Sequence, residues 1–461
     1  MLDLALIRSE PERVTRALAR RGVAADAVEA VLDLDERWTE RQEVREALRL
    51  RRRRAAEEVA RARTEGRTSE PFEAAGRQVA EELAQVERQA AALEAARAQA
   101  LLALPNLPAT DAPPDAPEPA AEAAGHHQAP TPPPWPKPFP PLHHADLVAT
   151  LGLAATAGSA GHGFIVWRGR GARLIRALTD FMLDVHTREF GFEEVRAPAP
   201  ATREALFGSA HLPLLAGKIY RVDAAPLAGD AAKPEEQRGA GAPLFLAPRA
   251  EPHLAGLYAG QVLDASRLPV RLVAAGPAFR REAGGGGAAA RGLVRLHQFD
   301  TVELYIFAAP EQGEEELARA ADAAEAIPAR LGLPHRRRPR AARALSHAAA
   351  KTIDIDVWSP GMRAEQRADG TRASSEGTWL PVAAISAFTD YQARRTNTRY
   401  RSASGRARLV HTLGGAAVAL PHLVAALLES GQEADGSVRL PPALAGYVGQ
   451  EVLHAAPADE S

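Results

Sequence analysis

The chain has 461 residues and a formal net charge of −2 at neutral pH, which excludes a uniformly basic nucleic-acid-binding protein. It has no cysteine, which excludes disulfides, thiolate metal sites and thiol catalysis and fits a reducing compartment. The N-terminus is charged from its third residue and lacks the apolar core of a secretion signal, and no apolar run is long enough to span a membrane.

Residues 1–110 are predicted to be helical. The stretch Ser9-Glu10-Pro11-Glu12 predicts a helix start, with Ser9 as the cap and Pro11 in the first turn. Two longer helices are predicted at about residues 27–63 and 70–103, with a turn at 64–68 between them. The second carries apolar residues at heptad spacing: Val79, Leu83, Val86, Ala90 and Leu93. This pattern predicts an antiparallel coiled-coil hairpin.

The first long helix contains a run of arginines: Arg49, Arg51, Arg52, Arg53 and Arg54. One interpretation is an ordinary solvated helix face. The other is a stripe that contacts the phosphates of RNA. The residue types alone leave both open.

Residues 111–145 are predicted to be a linker, because so many prolines prevent a regular helix or strand. Two histidine pairs occur here, His126-His127 and His143-His144. Without a nearby carboxylate pattern, we interpret these histidines as solvated or packed side chains and predict no metal site.

Residues 146–461 are predicted to form a larger α+β domain. A helical period covers 173–190 and a strand covers 192–197, ending at Pro198. The stretches 223–242 and 359–377 are predicted to be inserted loops. A Gly-rich strand or turn that enters a buried helix is predicted at 413–429.

The stretch 278–305 predicts a strand, a glycine turn at Gly284–Gly287 and a second strand from Leu293 to Tyr305. Two antiparallel strands would present Arg280, Arg295 and Phe299 towards one cleft. Guanidinium groups suit phosphates and carboxylates, and a phenyl face suits a purine. The residue types therefore allow either an ATP site or a surface hairpin with solvated arginines.

The sequences AFRREAG and RGLVRLHQF in this stretch resemble motif 2 of the seryl-tRNA synthetase family, a class II aminoacyl-tRNA synthetase family of bacterial type. The phrase SAFTDYQARR at 386–395 and the layout of 413–429 are also similar to that family. The resemblance runs collinearly from Met1 to about Leu453. No P-loop motif is present, which agrees with an ATP site of this other kind.

The resemblance implies a role for each matching residue. Arg280 matches the Arg on the α-phosphate and the substrate carboxylate, and Arg295 matches the Arg on the γ-phosphate side. Glu282 matches the acidic residue near the adenine amine, and Phe299 matches the adenine-stacking ring. Glu303 matches the Glu that reads the serine side chain, and Glu251 matches the Glu of the family phrase T-A-E. ATP is the implied cofactor.

Several positions depart from the family pattern. Arg249 replaces the serine-binding Thr, and His422 replaces the motif 3 Arg. Gly414 and Ala416 replace the Asn and Thr that shape the serine pocket. Pro381 and Ala384 replace the Glu and Ser of the metal site, which argues against a Mg²⁺ site of the family kind. In the loop 359–377, Glu365 and Glu376 are the candidates for a substitute carboxylate.

The resemblance implies an N-terminal coiled-coil arm that binds the long variable arm of a tRNA, followed by an antiparallel sheet flanked by helices. It also implies a homodimer, although a packed helix–strand pair at 173–198 would have the same residues, and a cytoplasmic location. The replacements predict a paralogue that is weak or inactive in serine adenylation and still binds RNA or a partner. The alternatives are an active serine–tRNA ligase, a ligase retuned to another amino acid or acceptor, and a coiled-coil interaction protein without an RNA role.

Overall fold

The computed structural model describes residues 1–114, 133–156, 163–222, 243–282, 292–363 and 376–456. They form two compact units, Met1–Leu107 and Pro108–Ser461. Several predicted features lie outside the described residues: the loop 223–242, the glycine run Gly284–Gly287, His126, His127, Glu365 and the side chain of Glu376. The predicted boundaries of the linker, 111 and 145, stay a prediction.

The first unit is helical and confirms the predicted hairpin. Val79, Leu83 and Val86 are buried together with Leu48 of the preceding helix, which is the packing expected of a heptad seam. Ser9 does not cap the second helix as predicted. It ends the first helix and donates its hydroxyl to the Leu6 carbonyl, and Glu10 is the residue before Pro11. The helices are α1 Leu4–Ser9, α2 Pro11–Ala19, α3 Asp26–Thr64 and α4 Glu70–Ala103.

The second unit is built on a mainly antiparallel sheet that has seven strands within the described ranges. The order is β10-β11-β12-β15-β9-β8-β3, and the short β3 is parallel to β8. The long central strands are buried over most of their length, with runs of consecutive buried residues in β9 and β11. The strands are β3 Glu193–Glu194, β8 Val270–Phe279, β9 Gln298–Ala308, β10 His335–Pro339, β11 Lys351–Arg363, β12 Glu376–Thr389 and β15 His411–Ala419.

Helices cover this sheet and enclose the main hydrophobic core. The core joins Phe181, Ala324 and Leu427 from three helices to Ile306 and Ile385 from two strands. No helix among the residues described here is both long and apolar enough to cross a membrane. The helices are α5 His144–Thr150, α6 Gly169–Arg188, α7 Arg203–Gly208, α8 Glu251–Gly256, α9 Gly313–Arg330, α10 Tyr391–Thr396, α11 Leu420–Gly431 and α12 Pro442–Val448.

The remaining strands form small sheets and ribbons at the edges of the unit. The ribbon β13–β14 joins β7, which runs parallel to β13. These strands are β1 Ala154–Thr156, β2 Ile165–Trp167, β4 Pro200–Ala201, β5 Arg221–Val222, β6 Leu244–Leu246, β7 Val262–Asp264, β13 Arg399–Arg401, β14 Ala407–Leu409, β16 Val438–Arg439 and β17 Val452–Leu453.

Three predicted boundaries were wrong. The strand predicted from Leu293 begins only at Gln298, because the Leu293 amide donates to the buried His144 ring instead of to a strand partner. The loop predicted at 359–377 is shorter, because β11 continues to Arg363 and β12 begins at Glu376 across an irregular register. The strand predicted at 192–197 is limited to β3, where it pairs with β8.

Candidate active site on the open face of the central sheet

The first half of the candidate site lies where β8 and β9 pair. Ala278 on β8 lies directly opposite Phe299 on β9, and Arg280 follows β8 immediately. The Arg280 guanidinium carbon lies 5.4 Å from the centre of the Phe299 ring, within cation–π distance. Burial, followed by the nearby charge of Arg249, lowers the pKa of Arg280 to about 10, so the guanidinium stays protonated at neutral pH.

The second motif 2 arginine lies beside a different residue. The Arg295 Nε atom lies 3.1 Å from Glu282 Oε2, and the Arg295 side chain is 42% exposed. The structure therefore groups the four predicted nucleotide residues into two pairs, Arg280 with Phe299 and Arg295 with Glu282. The cation in each pair is adjacent to the group that the resemblance assigns to adenine, either the ring or the acid.

A cation lies between two buried carboxylates in the neighbouring pocket. The Arg249 Nη1 atom is 3.4 Å from Glu251 Oε2, and its Nε atom is 3.8 Å from Glu303 Oε1. Glu251 and Glu303 are 5% and 1% exposed, so water screens these charges poorly. The predicted amino-acid-binding residues Glu251 and Glu303 are thus brought together, with the guanidinium of Arg249 between them.

The electrostatics of this pocket are unusual. Burial is the largest influence on the Glu251 carboxyl and raises its pKa to about 7. Glu303 raises this pKa further, whereas Arg249 and the hydrogen bond from Gln392 lower it. Burial likewise raises the pKa of Glu303. Burial alone would lower the pKa of Arg249, but Glu303 and Glu251 outweigh it and raise that pKa. Burial, with Arg249 and Arg280, lowers the pKa of His211 to about 3, so this imidazole stays neutral.

Gln392 organises the wall behind the pocket, and sequence reasoning did not assign it a role. Its Nε2 atom donates to Glu251 Oε1 at 2.7 Å and to the Ser209 carbonyl at 3.1 Å. Its Oε1 atom accepts from the Tyr305 hydroxyl at 2.7 Å and from the Thr412 hydroxyl at 3.0 Å. Gln392 is fully buried and all of its polar atoms are used. The available signal was its place in the recognised phrase at 386–395.

Strand β15 forms the floor of the pocket where two family residues are replaced. Ala416 lies directly opposite Glu303, and Gly414 lies opposite Tyr305. Neither side chain can donate or accept a hydrogen bond in the pocket. A Cβ atom at Gly414 would collide with the Leu304 carbonyl oxygen, so a larger residue there requires the backbone to move.

His422 lies in the first turn of α11 and is held by the backbone. Its Nδ1 atom is 2.7 Å from the Pro381 carbonyl oxygen, and its Nε2 atom is 3.1 Å from the Val294 carbonyl oxygen. Both ring nitrogens are therefore directed at protein acceptors. The ring connects β12 to the segment before β9 and, in this arrangement, leaves no nitrogen for a phosphate.

The family's metal position does not fit a magnesium ion in this chain. Pro381 and Ala384 lie on β12 opposite Asp356 and Asp354 of β11 and have no side-chain oxygen. The two aspartates are buried and are bound by arginines of the edge strand β10 and by the arginine that follows it. Asp356 Oδ2 accepts from Arg336 at 2.9 Å, and Asp354 Oδ2 accepts from Arg340 at 3.0 Å. Arginine side chains therefore pair with both carboxylates, while Asp356 Oδ1 is buried without a hydrogen-bond partner among the described residues.

A separate cluster of His143, His144 and Glu429 brings metal-ligating atoms within 4.8 Å of one another. The Leu293 amide donates to His144 Nε2 at 3.1 Å, so Nδ1 carries the proton and donates to Glu429 at 2.8 Å. Glu429 also accepts from the amides of His144 and Gly361 and from the Ser359 hydroxyl. His144 is fully buried, and both of its ring nitrogens are used in hydrogen bonds within the protein.

The predicted RNA-contacting arginines lie on α3 in the first unit, and all of them are exposed or nearly so. Arg49 Nη2 lies 3.0 Å from Glu87 and Arg51 Nη1 lies 3.5 Å from Glu82, so acids of α4 partly neutralise both. Within the described part of the chain, Arg52 and Arg54 have no ion-pair partner. These arginines are therefore solvated, and Arg52 and Arg54, the two without a paired acid, lie about 200° apart around the helix.

Comparison with known proteins gives a consistent result over nearly the whole chain. Residues 1–108 match the seryl-tRNA synthetase N-terminal domain, and residues 235–431 match the tRNA synthetase class II core domain (G, H, P, S and T). The serine–tRNA ligase of Gemmatimonas aurantiaca is 37% identical over 458 residues, 98% of this chain and 100% of that protein. The serine–tRNA ligase of Akkermansia muciniphila is 36% identical, covering 98% and 99%.

A solved structure is similar over the same length. The seryl-tRNA synthetase from Pyrococcus horikoshii, complexed with ATP, superimposes with a TM-score of 0.80 at 28% identity. The alignment covers 99% of this chain and 100% of that chain.

Proposed function

The chain belongs to the seryl-tRNA synthetase family, and from that premise we propose that it is a synthetase-like protein with an eroded active site. It binds an adenine nucleotide and RNA, and it activates serine weakly or not at all. The observation that carries this proposal is the guanidinium of Arg249, which lies between Glu251 and Glu303 in the amino-acid pocket. A substrate ammonium would have to compete with this guanidinium for the same two carboxylates.

Two further features support the loss of activity. The nitrogens of His422 are directed at the carbonyls of Pro381 and Val294, so the ring does not reproduce the bidentate charge of an Arg. Pro381 and Ala384 have no oxygen with which to hold a metal. A phosphate-directed Arg alone contributes about 10³–10⁵ in rate to phosphoryl transfer. These losses are not additive, but each removes charge stabilisation that the reaction needs.

The nucleotide half of the site retains the required chemistry. ATP, when bound, would supply the adenylyl group that activates a carboxylate, with pyrophosphate as the leaving group. Phe299 offers a ring face for a purine, and Arg280 offers a protonated guanidinium for a phosphate or carboxylate beside it. Glu282 and Arg295 would hold the polar edge of the base and the far phosphates. We therefore propose that nucleotide binding outlasts amino-acid activation.

Amino-acid-dependent ATP–pyrophosphate exchange tests the proposed loss of activity. We expect exchange near background with serine and with each of the other common amino acids, because the pocket cation opposes every α-ammonium group. The serine–tRNA ligase of Gemmatimonas aurantiaca, assayed in parallel, is the positive control. Robust exchange with serine would show an active ligase, and exchange with a different amino acid would show a retuned one.

The proposed RNA-binding surface is the run of exposed arginines between Arg49 and Arg54 of α3, and it can be tested with a control on the same helix. Replacing Arg52 and Arg54 by Ala is expected to weaken binding of a tRNA with a long variable arm. A plot of the logarithm of the binding constant against the logarithm of the salt concentration should also become less steep, by about one unit of slope per lost phosphate contact. Arg37 lies on the same helix with a side chain 58% exposed and pairs with Asp33, so Arg37→Ala is the control.

Equal loss of tRNA affinity in both variants, or an unchanged salt slope, would contradict this surface. Salt-independent binding of a protein instead would favour the interaction-protein alternative. We also propose a homodimer and a cytoplasmic location from the family premise. Sedimentation of the purified chain tests the first, and fractionation of the source cells tests the second.

A further inference from the structure

The two buried carboxylates of the amino-acid pocket, Glu251 and Glu303, differ in how many hydrogen bonds they accept. Glu303 Oε2 is buried and has no hydrogen-bond partner among the residues that the structure describes. Its other oxygen accepts from the Thr301 hydroxyl at 3.4 Å and lies 3.8 Å from Arg249. Burying a carboxylate oxygen without a hydrogen-bond donor costs free energy, so a cationic or N–H-bearing group bound beside it would be stabilised.

A second arginine–glutamate pair shows how loosely Arg249 is held. Arg271 contacts Glu316 with two hydrogen bonds of 2.6 Å each, and the two side chains are 24% and 3% exposed. Arg249 is also 24% exposed and Glu303 is 1% exposed, yet their atoms approach only to 3.8 Å. Arg271 therefore makes a bidentate contact with its glutamate, whereas Arg249 makes a bidentate contact with neither Glu251 nor Glu303.

This geometry is what results when a side chain fills a space shaped for a separate cation. Gln392 holds Glu251 by a hydrogen bond of 2.7 Å, whereas the Thr301 hydroxyl lies 3.1 Å from the Val418 carbonyl oxygen and 3.4 Å from Glu303 and has one proton to donate. Ala416, opposite Glu303, has no polar side-chain atom that could bond to either carboxylate. Two preorganised, buried acids with an incompletely bonded oxygen form a site for one positive charge, and Arg249 supplies that charge from within the chain.

We infer that Arg249 is a tethered cation that fills a subsite for a positive group between Glu251 and Glu303, and that it makes the pocket exclude ligands carrying an ammonium group. This inference rests on the proposed function, because it gives the reason why the same site would reject serine. It also predicts that removing the side chain reopens a subsite for small cations. Guanidinium and ethanolamine are the probes, since one copies the Arg249 head and the other copies an ammonium group with a nearby hydroxyl.

The test is isothermal titration of each probe into the wild-type chain and Arg249→Ala. We expect Arg249→Ala to bind guanidinium at least about tenfold more tightly than the wild type, because its two buried carboxylates are left without a cation. Ethanolamine should compete for the same subsite. Arg249→Ala/Glu303→Gln should lose most of this binding. Arg271→Ala, which removes a cation of equal exposure elsewhere, should not gain the ethanolamine site.

The possible outcomes separate the inference from the function on which it rests. If Arg249→Ala gains no cation binding, the inference is wrong, and the absence of serine exchange would still support the eroded site. If the wild-type chain exchanges serine, the proposed function and the inference both fail. Should Arg249→Ala not fold, Arg249→Thr carries the same test with a smaller cavity, and saturable probe binding is again the expected result.

Discussion

Between pH 4.5 and pH 8, the wild type is expected to lose about 3 kcal/mol of unfolding free energy that Glu251→Gln does not lose. In the folded protein, burial raises the pKa of Glu251 to about 7 from an ordinary value of 4.5. The folded state therefore retains a proton that the unfolded state has lost. Glu251 adds stability that is fully present below pH 4.5 and is lost as the pH rises through 7.

The expected difference follows because Gln copies the protonated acid at every pH. The groups facing Glu251 are Arg249 and Gln392, which favour the charged form, and Glu303, which opposes it. Burial of Glu251 is the largest of these influences. The wild type should therefore lose stability between pH 4.5 and pH 8 by an amount that the variant does not lose.

Urea unfolding of both chains across this pH range measures the difference directly. Thr412→Val is the matched control, because it removes a hydrogen bond to Gln392 in the same network without removing a titratable group. Its stability difference from the wild type should not follow the titration of Glu251. A pH-independent gap between Glu251→Gln and the wild type would contradict the assigned environment of this carboxyl.

Glu429→Ala is expected to destabilise the second unit by about 3–5 kcal/mol, because each buried donor that loses its acceptor costs about 1–3 kcal/mol and relaxation relieves part of that cost. Glu429 is fully buried and accepts from the amides of His144 and Gly361, the Ser359 hydroxyl and the His144 ring. Its removal leaves these four donors without their acceptor inside the protein. Buried donors without acceptors carry the full desolvation cost.

Glu433→Ala provides the comparison four residues along the chain. Glu433 is 37% exposed and pairs with Lys137 at 3.4 Å and with Arg439 at 3.6 Å. Exposed pairs of this kind contribute about 0–1 kcal/mol. Thermal and urea unfolding should therefore separate the two variants clearly. Equal destabilisation would mean that the Glu429 network is not a principal support of this unit.

Local patterns in the sequence predicted the parts of the fold that depend on neighbouring residues. The heptad of α4 places Val79, Leu83 and Val86 on one helical face, so the coiled-coil hairpin follows from their spacing. The start of β9 did not follow from local pattern. The residues after Leu293 alternate like a strand, but His144, about 150 positions earlier, takes the Leu293 amide proton.

The end of β11 was missed for a related reason. Pro360 and Gly361 predict a break in the strand. The Gly361 amide, however, is satisfied by Glu429 of α11, and the chain continues in extended form with a register irregularity. Such partners are distant in sequence and have no local signature.

In the candidate site too, the identities of the residues could be predicted from the sequence, but the contacts between distant residues could not. The resemblance placed Arg280, Phe299, Glu251 and Glu303 in one site, and it identified Arg249 as a bulky cation. It did not predict that Arg249 would lie between the two glutamates, since that depends on how α8 and β9 pack. Gln392 was present in a recognised phrase, but its role depends on the Tyr305 and Thr412 hydroxyls brought to it by two other strands.

Because Arg249 is covalently part of the chain, its guanidinium competes with any free ligand for this pocket at a fixed effective concentration. A tethered group meets its partners at an effective concentration of about millimolar or above, and this value does not depend on the concentration of the protein. Free serine would bind only during the fraction of time in which the guanidinium lies elsewhere, and its apparent affinity falls by that fraction. Under the proposed function, selection against the amino acid would need no clash and no second protein, because the competing guanidinium is present at one copy per pocket.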